Sequence, residues 1–310
     1  MRPAVLGIMV TRSSHWVIHS WLRRHVGMFE HLAVLDGSPY GSRCAESTKH
    51  ECSLYRNVRY SHERHENLTS PTDQTARAAA TQILTRAGIT LLNRWLFLAH
   101  PDEYFVHDVS DVISSMVAHD RFATVALFDI LYAMPTAEER SRINGTRGPS
   151  TFEIMRDLTH CDASFPFREP RIFLWTAGTQ WGTQHGLTTP RTHPGHRPWP
   201  TARDAALRAT PFYVHFKIHD FDEDAIELRS DREHGGPWIA FRGRGFQTGL
   251  GRHRAHGSRF RPTSIDDAWH YYERAGRPPS DIRGEIRKRC SAGTMPCRVP
   301  WKVASRFEGR

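Results

Sequence analysis

The sequence predicts an α/β protein with a mostly parallel central sheet and an irregular C-terminal part. Three apolar runs, at residues 5–10, 31–36 and 95–99, are typical of strands that are buried on both faces. Segments with helical periodicity separate them, namely an apolar stripe over 16–25 and an alanine-rich stretch over 71–88. Because this alternation needs crossover connections, we expect the strands to run parallel, with helices on both faces of the sheet.

The rest of the chain is less regular. Glycines, prolines and histidines in the segment 178–200 predict a loop or lid. The remaining predicted strands are 58–60, 124–131, 171–175 and 212–218, and the remaining predicted helices are 111–119, 222–229, 264–275 and 280–288. The sequence shows no internal repeat and no linker that would mark a domain boundary.

The composition is that of a folded protein with an excess of positive charge. Hydrophobic residues make up 39% of the 310 residues and charged residues 24%, which excludes wholesale disorder. The net charge of +9 favours nucleotide phosphates, nucleic acid or a membrane surface as partners, and an arginine-rich composition without functional demand is the alternative. The sequence has no run of about 20 apolar residues, which excludes a membrane-spanning helix.

Cysteine usage and the first residues predict a cytoplasmic protein. The five cysteines form no C-x-x-C pair and their number is odd, so neither a disulfide framework nor a zinc ribbon is indicated. Reduced thiols are therefore expected. The short apolar run at 4–10 lacks a small-residue cleavage site, which predicts a core strand rather than a signal peptide.

Acidic side chains follow two of the predicted strands. Asp36 ends the second strand, and Asp102 and Glu103 come directly after the third. Open α/β sheets bind ligands beyond the carboxyl ends of their strands, and carboxylates there can hold Mg²⁺ or Mn²⁺ against a diphosphate. The alternative is that Asp102 caps the next segment and Glu103 faces solvent. Asp36 stands at the end of the second predicted strand, as Asp102 and Glu103 do at the end of the third. This matching position favours a ligand site over the capping role.

Several short motifs follow one another along the first third of the chain. They are Val10-Thr11-Arg12-Ser13, then Trp21, His25 and Gly27, then Leu35-Asp36-Gly37-Ser38, and finally the run 95–105. In their order and spacing, these motifs of residues 4–110 resemble the N-terminal part of family 2-like and family 92-like glycosyltransferases. In those proteins a tryptophan-led strand closes on Asp-x-Asp-Glu-Phe, where this chain has His100-Pro101-Asp102-Glu103-Tyr104-Phe105. Beyond residue 150 the resemblance thins to Val214-His215-Phe216-Lys217, which matches a late His-Tyr/Phe strand.

The resemblance implies a GT-A fold, in which a Rossmann-like sheet holds a nucleotide-sugar and a divalent cation bridges its diphosphate to the Asp-x-Asp motif. It also implies transfer of the sugar to a hydroxyl of a glycan, a lipid or a protein. Thr11, Arg12 and Ser38 would lie near the nucleotide. Asp36 would face the base or the ribose, and Asp102 would bind the cation.

The chain departs from the family motif at its first acidic position, where His100 stands in place of Asp. Imidazole is a competent ligand of Mn²⁺, so a His-x-Asp-Glu site made of His100, Asp102 and Glu103 would still hold Mn²⁺ or Mg²⁺. A weakened cation site and a metal-independent enzyme are the alternatives. The resemblance implies a later histidine as a further ligand, either His215 on a predicted strand or His185 in the 178–200 segment.

An inverting transferase needs a carboxylate base that deprotonates the acceptor hydroxyl. The predicted catalytic candidates are Asp220, Asp222 and Glu223, which follow the last predicted strand. Glu153 and Asp157 are alternatives further upstream. For each of them, a solvated loop position without a catalytic role is the competing interpretation.

The resemblance also suggests a division of the chain. A glycosyltransferase domain would span 1–275, with a nucleotide-sugar half at 1–135 and an acceptor half at 136–275. A basic tail would follow at 276–310. The charges of Arg287-Lys288-Arg289 in this tail would allow peripheral association with anionic membrane lipids.

The densest basic segment, 242–261, leaves three interpretations open. It would be a lid that holds a diphosphate or an anionic acceptor, a solvated loop, or a single-stranded nucleic-acid site in which Phe241, Phe246 and Phe260 stack on bases. A nucleic-acid-binding protein is therefore an alternative hypothesis, although nucleic acid is the less favoured partner. A catalytically silent, glycan-binding domain is another, because the first Asp of the motif is missing.

Overall fold

One continuous sheet flanked by helices organises the chain. The computed structural model describes residues 3–11, 15–38, 40–63, 74–133, 136, 138–139, 158–162, 168–181, 197–200, 210–215, 279–293 and 295–299. The strands are β1 Val5–Thr11, β2 His31–Asp36, β3 Val58–His62, β4 Arg94–Ala99, β5 Glu103–Phe105, β6 Val125–Ala133, β7 His160–Asp162, β8 Arg168–Trp175, β9 Pro198–Trp199, β10 Phe212–His215 and β11 Ser280–Asp281. The helices are α1 His15–His25, α2 Arg43–Ser53, α3 Gln74–Arg86, α4 Val109–His119 and α5 Ile282–Ala292, and a short 3-10 turn, Val26–Met28, follows α1.

The sheet is built around parallel strands in the order β3-β2-β1-β4. β8 lies antiparallel between β4 and β6, so β6 runs in the same direction as β4. Among the eleven strands of the described residues, β5, β7 and β8 oppose this direction. The chain is therefore an α/β protein with a Rossmann-like, mostly parallel sheet, which confirms the predicted fold class.

Both faces of β1 are buried, which explains its continuous apolar run. Val5 and Met9 belong to the core formed with α1 and α4, whereas Leu6, Ile8 and Val10 belong to the core formed with α3. Successive side chains of a strand point to opposite faces of the sheet. A strand that is covered by helices on both faces therefore needs apolar residues at every position. Since the helices cover the faces of the sheet, polar side chains gather where the strands end.

Most of the elements predicted for the first third of the chain are found, with small shifts at their ends. The later predicted strands at 171–175 and 212–218 correspond to β8 and β10, and the predicted helix at 280–288 corresponds to α5. The predicted helices at 222–229 and 264–275 lie outside the described residues, as do the middle of the 178–200 segment and most of the predicted irregular C-terminal part.

Helix α2 was not predicted, because its buried face contains little hydrocarbon. Its buried side chains are Cys44, Ala45, Thr48 and Cys52, which are small or weakly polar. The helix begins at a regular cap, in which the hydroxyl of Ser42 accepts a hydrogen bond from the backbone N–H of Ala45 at 3.2 Å. The four small strands β5, β7, β9 and β11 were also missed, since two or three residues give no periodicity.

The expectation that all cysteines are reduced is wrong for one pair. Cys290, in α5, and Cys297 form a disulfide, with Cα atoms 5.9 Å apart. The two residues are seven positions apart, and the end of α5 at Ala292 lets the chain turn back and bring them together. The remaining cysteines at 44, 52 and 161 are free and buried. A count of spacings could not show that the chain reverses here.

Residues 280–292, within the predicted basic tail, form β11 and α5. β11 pairs with β7, and Ile282 and Ile286 of α5 are buried against this end of the sheet. The following segment lies along β5, where the backbone N–H of Arg298 donates to the carbonyl of Val106 at 2.6 Å. No helix in the described part of the chain has the length and apolar character needed to cross a bilayer.

Candidate active site

The carboxyl ends of β1, β2 and β3 lie side by side at one edge of the sheet. The strand register places Thr11 beside Asp36 and Asp36 beside His62. On the other side of β1, Met9 pairs with Ala99, the last residue of β4. Neighbouring strands are about 4.8 Å apart, so the ends of β2 and β4 are separated by about 10 Å. Polar residues from both strand ends therefore face one region.

The first group, here named the Asp36 cluster, consists of Asp36, Ser38, Tyr60 and His62. Asp36 Oδ1 accepts hydrogen bonds from the backbone N–H of Ser38 at 2.8 Å and from its hydroxyl at 2.6 Å. Asp36 Oδ2 accepts from the Tyr60 hydroxyl at 3.2 Å. Nε2 of His62 lies 2.8 Å from the carbonyl of Ser38. Burial raises the pKa of Asp36, although its hydrogen bonds act in the opposite direction. The carboxylate thus holds the turn that follows β2.

Thr11 and Ser38, which the resemblance places near the nucleotide, are both buried at this edge. Thr11 Oγ1 has no hydrogen-bond partner among the described residues, while its carbonyl accepts from the N–H of Gly37 at 2.8 Å. Tyr40 is 85% exposed, and its ring centroid lies 5.3 Å from that of His62. The nucleotide contacts of Thr11, Asp36 and Ser38 stay predictions.

The second group, here named the His-Asp-Glu cluster, consists of His100, Asp102 and Glu103. β4 ends at Ala99, a tight turn follows in which the N–H of Glu103 donates to the carbonyl of His100 at 3.3 Å, and β5 begins at Glu103. One potential ligand atom from each of the three side chains lies within 4.8 Å of the others. The structure therefore brings together three of the four predicted metal ligands.

The buried positions of this cluster favour a neutral histidine. The His100 side chain is 16% exposed and that of Glu103 is completely buried. Burial lowers the pKa of His100 well below its usual value, and the positive charge of Arg171 adds to this effect. Burial raises the pKa of Glu103, whereas the charge of Arg171 opposes that rise. A neutral imidazole is the form that can coordinate a metal ion.

Strand β10 brings the fourth predicted ligand to the same place. It pairs antiparallel with β5, so that His215 is opposite Glu103 although the two are far apart in sequence. Nε2 of His215 lies 3.1 Å from Oδ2 of Asp102. His215 therefore contacts a member of the His-Asp-Glu cluster and fixes the position of its carboxylate. Direct coordination by His215 stays a prediction.

A third group, here named the Arg171 network, was not predicted and consists of Arg171, Glu169 and Tyr213. Nη2 of Arg171 contacts Oε1 of Glu103, and it lies 2.6 Å from Oε2 of Glu169 and 2.7 Å from the Tyr213 hydroxyl. The Tyr213 hydroxyl donates to the same Glu169 oxygen at 3.2 Å. The available signal in the sequence was the three charged residues Arg168, Glu169 and Arg171 in the first half of β8, ahead of its apolar second half.

Trp21 and His25 of α1 contact β5, the strand that begins with Glu103 of the cluster. Trp21 Nε1 donates a hydrogen bond to the backbone carbonyl of Glu103 at 3.0 Å. The ring of His25 meets the rings of Tyr104 and Phe105 edge-on, with centroids 5.5 and 5.9 Å apart. Burial lowers the pKa of His25 to about 3, so it is a neutral core residue near pH 7. These two residues support β5, which carries Glu103.

The remaining predicted site residues lie outside the described residues, and their roles stay predictions. They are Arg12, the alternative ligand His185, the base candidates Asp220, Asp222 and Glu223, the upstream alternatives Glu153 and Asp157, and the basic segment 242–261.

No protein-family model matches this sequence, and no curated protein matches it. Solved structures that can be superposed on it share little of its sequence. A 4-diphosphocytidyl-2C-methyl-D-erythritol synthase is 9% identical, with a TM-score of 0.31 over 56% of this chain and 76% of that chain. A putative glucose-1-phosphate thymidylyltransferase from Bacillus anthracis is 9% identical, with a TM-score of 0.26 over 44% of this chain and 58% of that chain. S. aureus TarS 1-349 is 12% identical, with a TM-score of 0.32 over 94% of this chain and 83% of that chain. At these values the chemistry has to be inferred from the chain's own residues.

Proposed function

We propose that this chain is a glycosyltransferase of the GT-A type, which moves a sugar from a nucleotide-sugar donor to a hydroxyl of a glycan, a lipid or a protein. The observation that carries the proposal is the convergence of His100, Asp102 and Glu103 at the carboxyl end of β4 in a Rossmann-like sheet. Open α/β sheets bind their ligands at this edge. The donor diphosphate and a divalent cation would meet there.

The donor atoms of the His-Asp-Glu cluster fit a hard divalent cation. The cluster offers two carboxylates and one neutral imidazole, a set that suits Mn²⁺ and tolerates Mg²⁺. Oε2 of Glu103 and Nε2 of His100 are buried and have no hydrogen-bond partner among the described residues. A buried polar atom without a partner costs about 1–3 kcal/mol, so these atoms would gain from coordination.

The balance of charge around the cluster also favours a cation. The charges of Asp102 and Glu169 act on Glu103. Two guanidinium groups supply positive charge: Arg171 contacts Glu103 and Glu169 directly, and Arg77 acts on His100 at longer range. With His100 neutral, three carboxylates face two guanidinium groups, so a diphosphate without a cation would meet no excess of positive charge here. When bound, a divalent cation would neutralise the diphosphate and stabilise it as the sugar leaves.

The protein's own residues would divide the work. His100, Asp102 and Glu103 would hold the cation, and His215 would keep Asp102 in place through their 3.1 Å contact. The turn held by Asp36, with Ser38, would contact the nucleotide. A carboxylate among the base candidates, Asp220, Asp222 or Glu223, would remove the proton of the acceptor hydroxyl as the sugar is transferred.

Thermal-shift measurements with UDP- and GDP-sugars, with and without Mn²⁺, test this proposal. We expect at least one nucleotide-sugar to raise the Tm of the wild-type protein when Mn²⁺ is present, because ligand binding to the native state stabilises it. Asp102→Asn should abolish the Mn²⁺-dependent part of the shift. Glu30→Gln is the matched control, since Glu30 pairs with Arg94, the first residue of β4, at the opposite end of that strand from the cluster.

The outcomes separate the competing functions. If no nucleotide-sugar raises the Tm under any condition, the proposal is wrong. A shift that is independent of Mn²⁺ and unchanged in Asp102→Asn would contradict the cation site while keeping donor binding. Stabilisation by single-stranded nucleic acid that falls steeply with salt, without any response to nucleotide-sugars, would support the nucleic-acid alternative.

A further inference from the structure

Arg171 is a buried cation in contact with the proposed cation site. Its side chain is 3% exposed, and its Nη2 contacts Glu103 while it also binds Glu169 and Tyr213. These partners come from three different strands, β5, β8 and β10. A permanent positive charge so close to a site for a divalent cation would normally weaken that site. Some other group must therefore balance its charge.

The position of Arg171 results from an irregularity in β8. Ile172 pairs with Ala126 of β6, but Pro170 pairs with the next residue, Leu127, so that Arg171 is the extra residue of a β-bulge. Proline lacks a backbone N–H and is tolerated at bulges rather than in a regular ladder. A bulge re-aims the side chain of its extra residue. The Glu-Pro-Arg sequence at 169–171 thus builds a local feature that directs Arg171 towards Glu103.

Arg171 fixes the orientation of the Glu103 carboxylate. Oε1 of Glu103 contacts Arg171 and lies 3.7 Å from Nδ1 of His100, while Oε2 is buried without a hydrogen-bond partner among the described residues. One oxygen is thereby held by the protein and the other stays available. Partners that orient a ligand in this way raise the affinity of metal sites.

Glu169 supplies the balancing charge. Its side chain is 29% exposed, and Oε2 accepts hydrogen bonds from both Arg171 and Tyr213. If a cation engages Glu103, Arg171 keeps a carboxylate partner in Glu169, and its charge remains compensated. Without Glu169, a bound cation and Arg171 would compete for the single carboxylate of Glu103.

We propose that Arg171 and Glu169 are positioning residues that set the cation affinity of the His-Asp-Glu cluster. Arg171 orients Glu103, and Glu169 neutralises Arg171 so that a divalent cation can lie close to it. This inference rests on the proposed function, because it assumes that the cluster binds a cation. It adds two residues that would coordinate nothing themselves.

The test is the dissociation constant of Mn²⁺, measured by electron paramagnetic resonance of free Mn²⁺ during titration of the protein. Glu169→Gln should weaken Mn²⁺ binding about tenfold or more, in the range expected for partners of metal ligands. Glu169→Asp should restore most of the affinity, because the carboxylate charge returns. Arg171→Lys should also weaken binding about tenfold, since one ammonium cannot hold Glu103, Glu169 and Tyr213 in the same geometry.

Controls make the two failures distinguishable. Glu30→Gln removes a carboxylate that pairs with an arginine at the far end of β4 and should leave the Mn²⁺ affinity within twofold of wild type. If Glu169→Gln and Arg171→Lys bind Mn²⁺ as wild type does while Asp102→Asn does not, the inference is wrong and the cation site stands. If Glu169→Asp is as weak as Glu169→Gln, charge compensation is contradicted. If wild-type protein binds no Mn²⁺, the cation site and this inference both fail.

Discussion

Two buried carboxylates at the same edge of the sheet are held in opposite ways. Asp36 accepts three hydrogen bonds, all from the neutral donors of Ser38 and Tyr60. Glu103 contacts the charged side chain of Arg171, and its Oε2 lacks a hydrogen-bond partner among the described residues. Both side chains have no measurable exposure, so burial alone does not distinguish them.

The difference separates a carboxylate that neutral donors hold at both oxygens from one that has an oxygen without a hydrogen-bond partner among the described residues. Asp36 accepts its hydrogen bonds from its own turn and from the neighbouring strand. Both of its carboxylate oxygens therefore have a partner without any further group. Glu103 depends on a charged partner that is itself shared with Glu169. A carboxylate of this second kind is sensitive to the loss of its partner and can respond to a cation.

The largest expected effect comes from removing the charge beside Glu103. Arg171→Met should lower the free energy of unfolding by about 3–5 kcal/mol, because it leaves a buried carboxylate without its ion-pair partner. Denaturation in urea, followed by circular dichroism, measures this loss. The matched control is Arg94→Met, which breaks a pair with the more exposed Glu30 and should cost at most about 1 kcal/mol.

Equal losses in the two variants would contradict the contrast between the buried and the exposed pair. The contrast would be strengthened if the double variant Arg171→Met/Glu103→Gln recovered the free energy of unfolding that Arg171→Met loses. In that double variant no unpaired carboxylate remains at position 103, and the penalty for burying one is removed. The comparison therefore depends on Glu103 itself and not on the lost packing of the arginine.

A second effect concerns acid stability and the histidine beneath β5. The pKa of His25 is lowered to about 3, so between that pH and its unfolded value near 6.5 the unfolded chain binds more protons than the folded one. Stability therefore falls as pH falls through this window, by about 2 kcal/mol between pH 6.5 and pH 5. His25→Phe should remove this part of the slope, as measured by urea denaturation at several pH values.

The control for the acid slope is His50→Gln, a substitution of an exposed histidine on α2. It should leave the dependence of stability on pH unchanged. Because only the slope is compared, a change of stability in His25→Phe at neutral pH does not affect the test. An unaltered slope in His25→Phe would show that His25 is not the group that resists protonation beneath Glu103.

On both sides of the site, the residues at the strand ends could be predicted from the sequence. Apolar runs that are buried on both faces identified β1, β2 and β4, and the carboxyl ends of these strands give Asp36 and His100 directly. The family pattern also indicated His215, which contacts Asp102. Asp36 and His100 follow from local patterns along the chain, whereas His215 came from the resemblance.

Arg171 could not be predicted, because its position depends on a bulge and on strands that are distant in sequence. The same holds for the Cys290–Cys297 bond, which requires the chain to reverse after α5. The role of Trp21 was also hidden, since a helix pattern does not reveal that its indole donates to the carbonyl of Glu103. Periodicity finds elements, whereas partners across the sheet require the fold.

The smallest expected effect is on the Asp36 cluster. Tyr60→Phe removes one neutral hydrogen bond to Asp36 Oδ2, 3.2 Å long, and should lower the free energy of unfolding by about 1 kcal/mol. The Mn²⁺ affinity should stay within twofold of wild type, because the cluster at the end of β4 does not use this bond. Tyr40→Phe is the control, since Tyr40 is 85% exposed and its hydroxyl should contribute little to stability.

Stability and Mn²⁺ affinity should be measured in the same Tyr60→Phe sample. The pair of measurements tests whether the loss of a hydrogen bond to Asp36 affects Mn²⁺ binding near Glu103. If Mn²⁺ binding falls together with stability, Asp36 and Glu103 belong to one coupled site, and the separation of a structural from a ligand-binding carboxylate is wrong. If stability falls alone, the hydrogen bonds of Asp36 hold only the turn after β2.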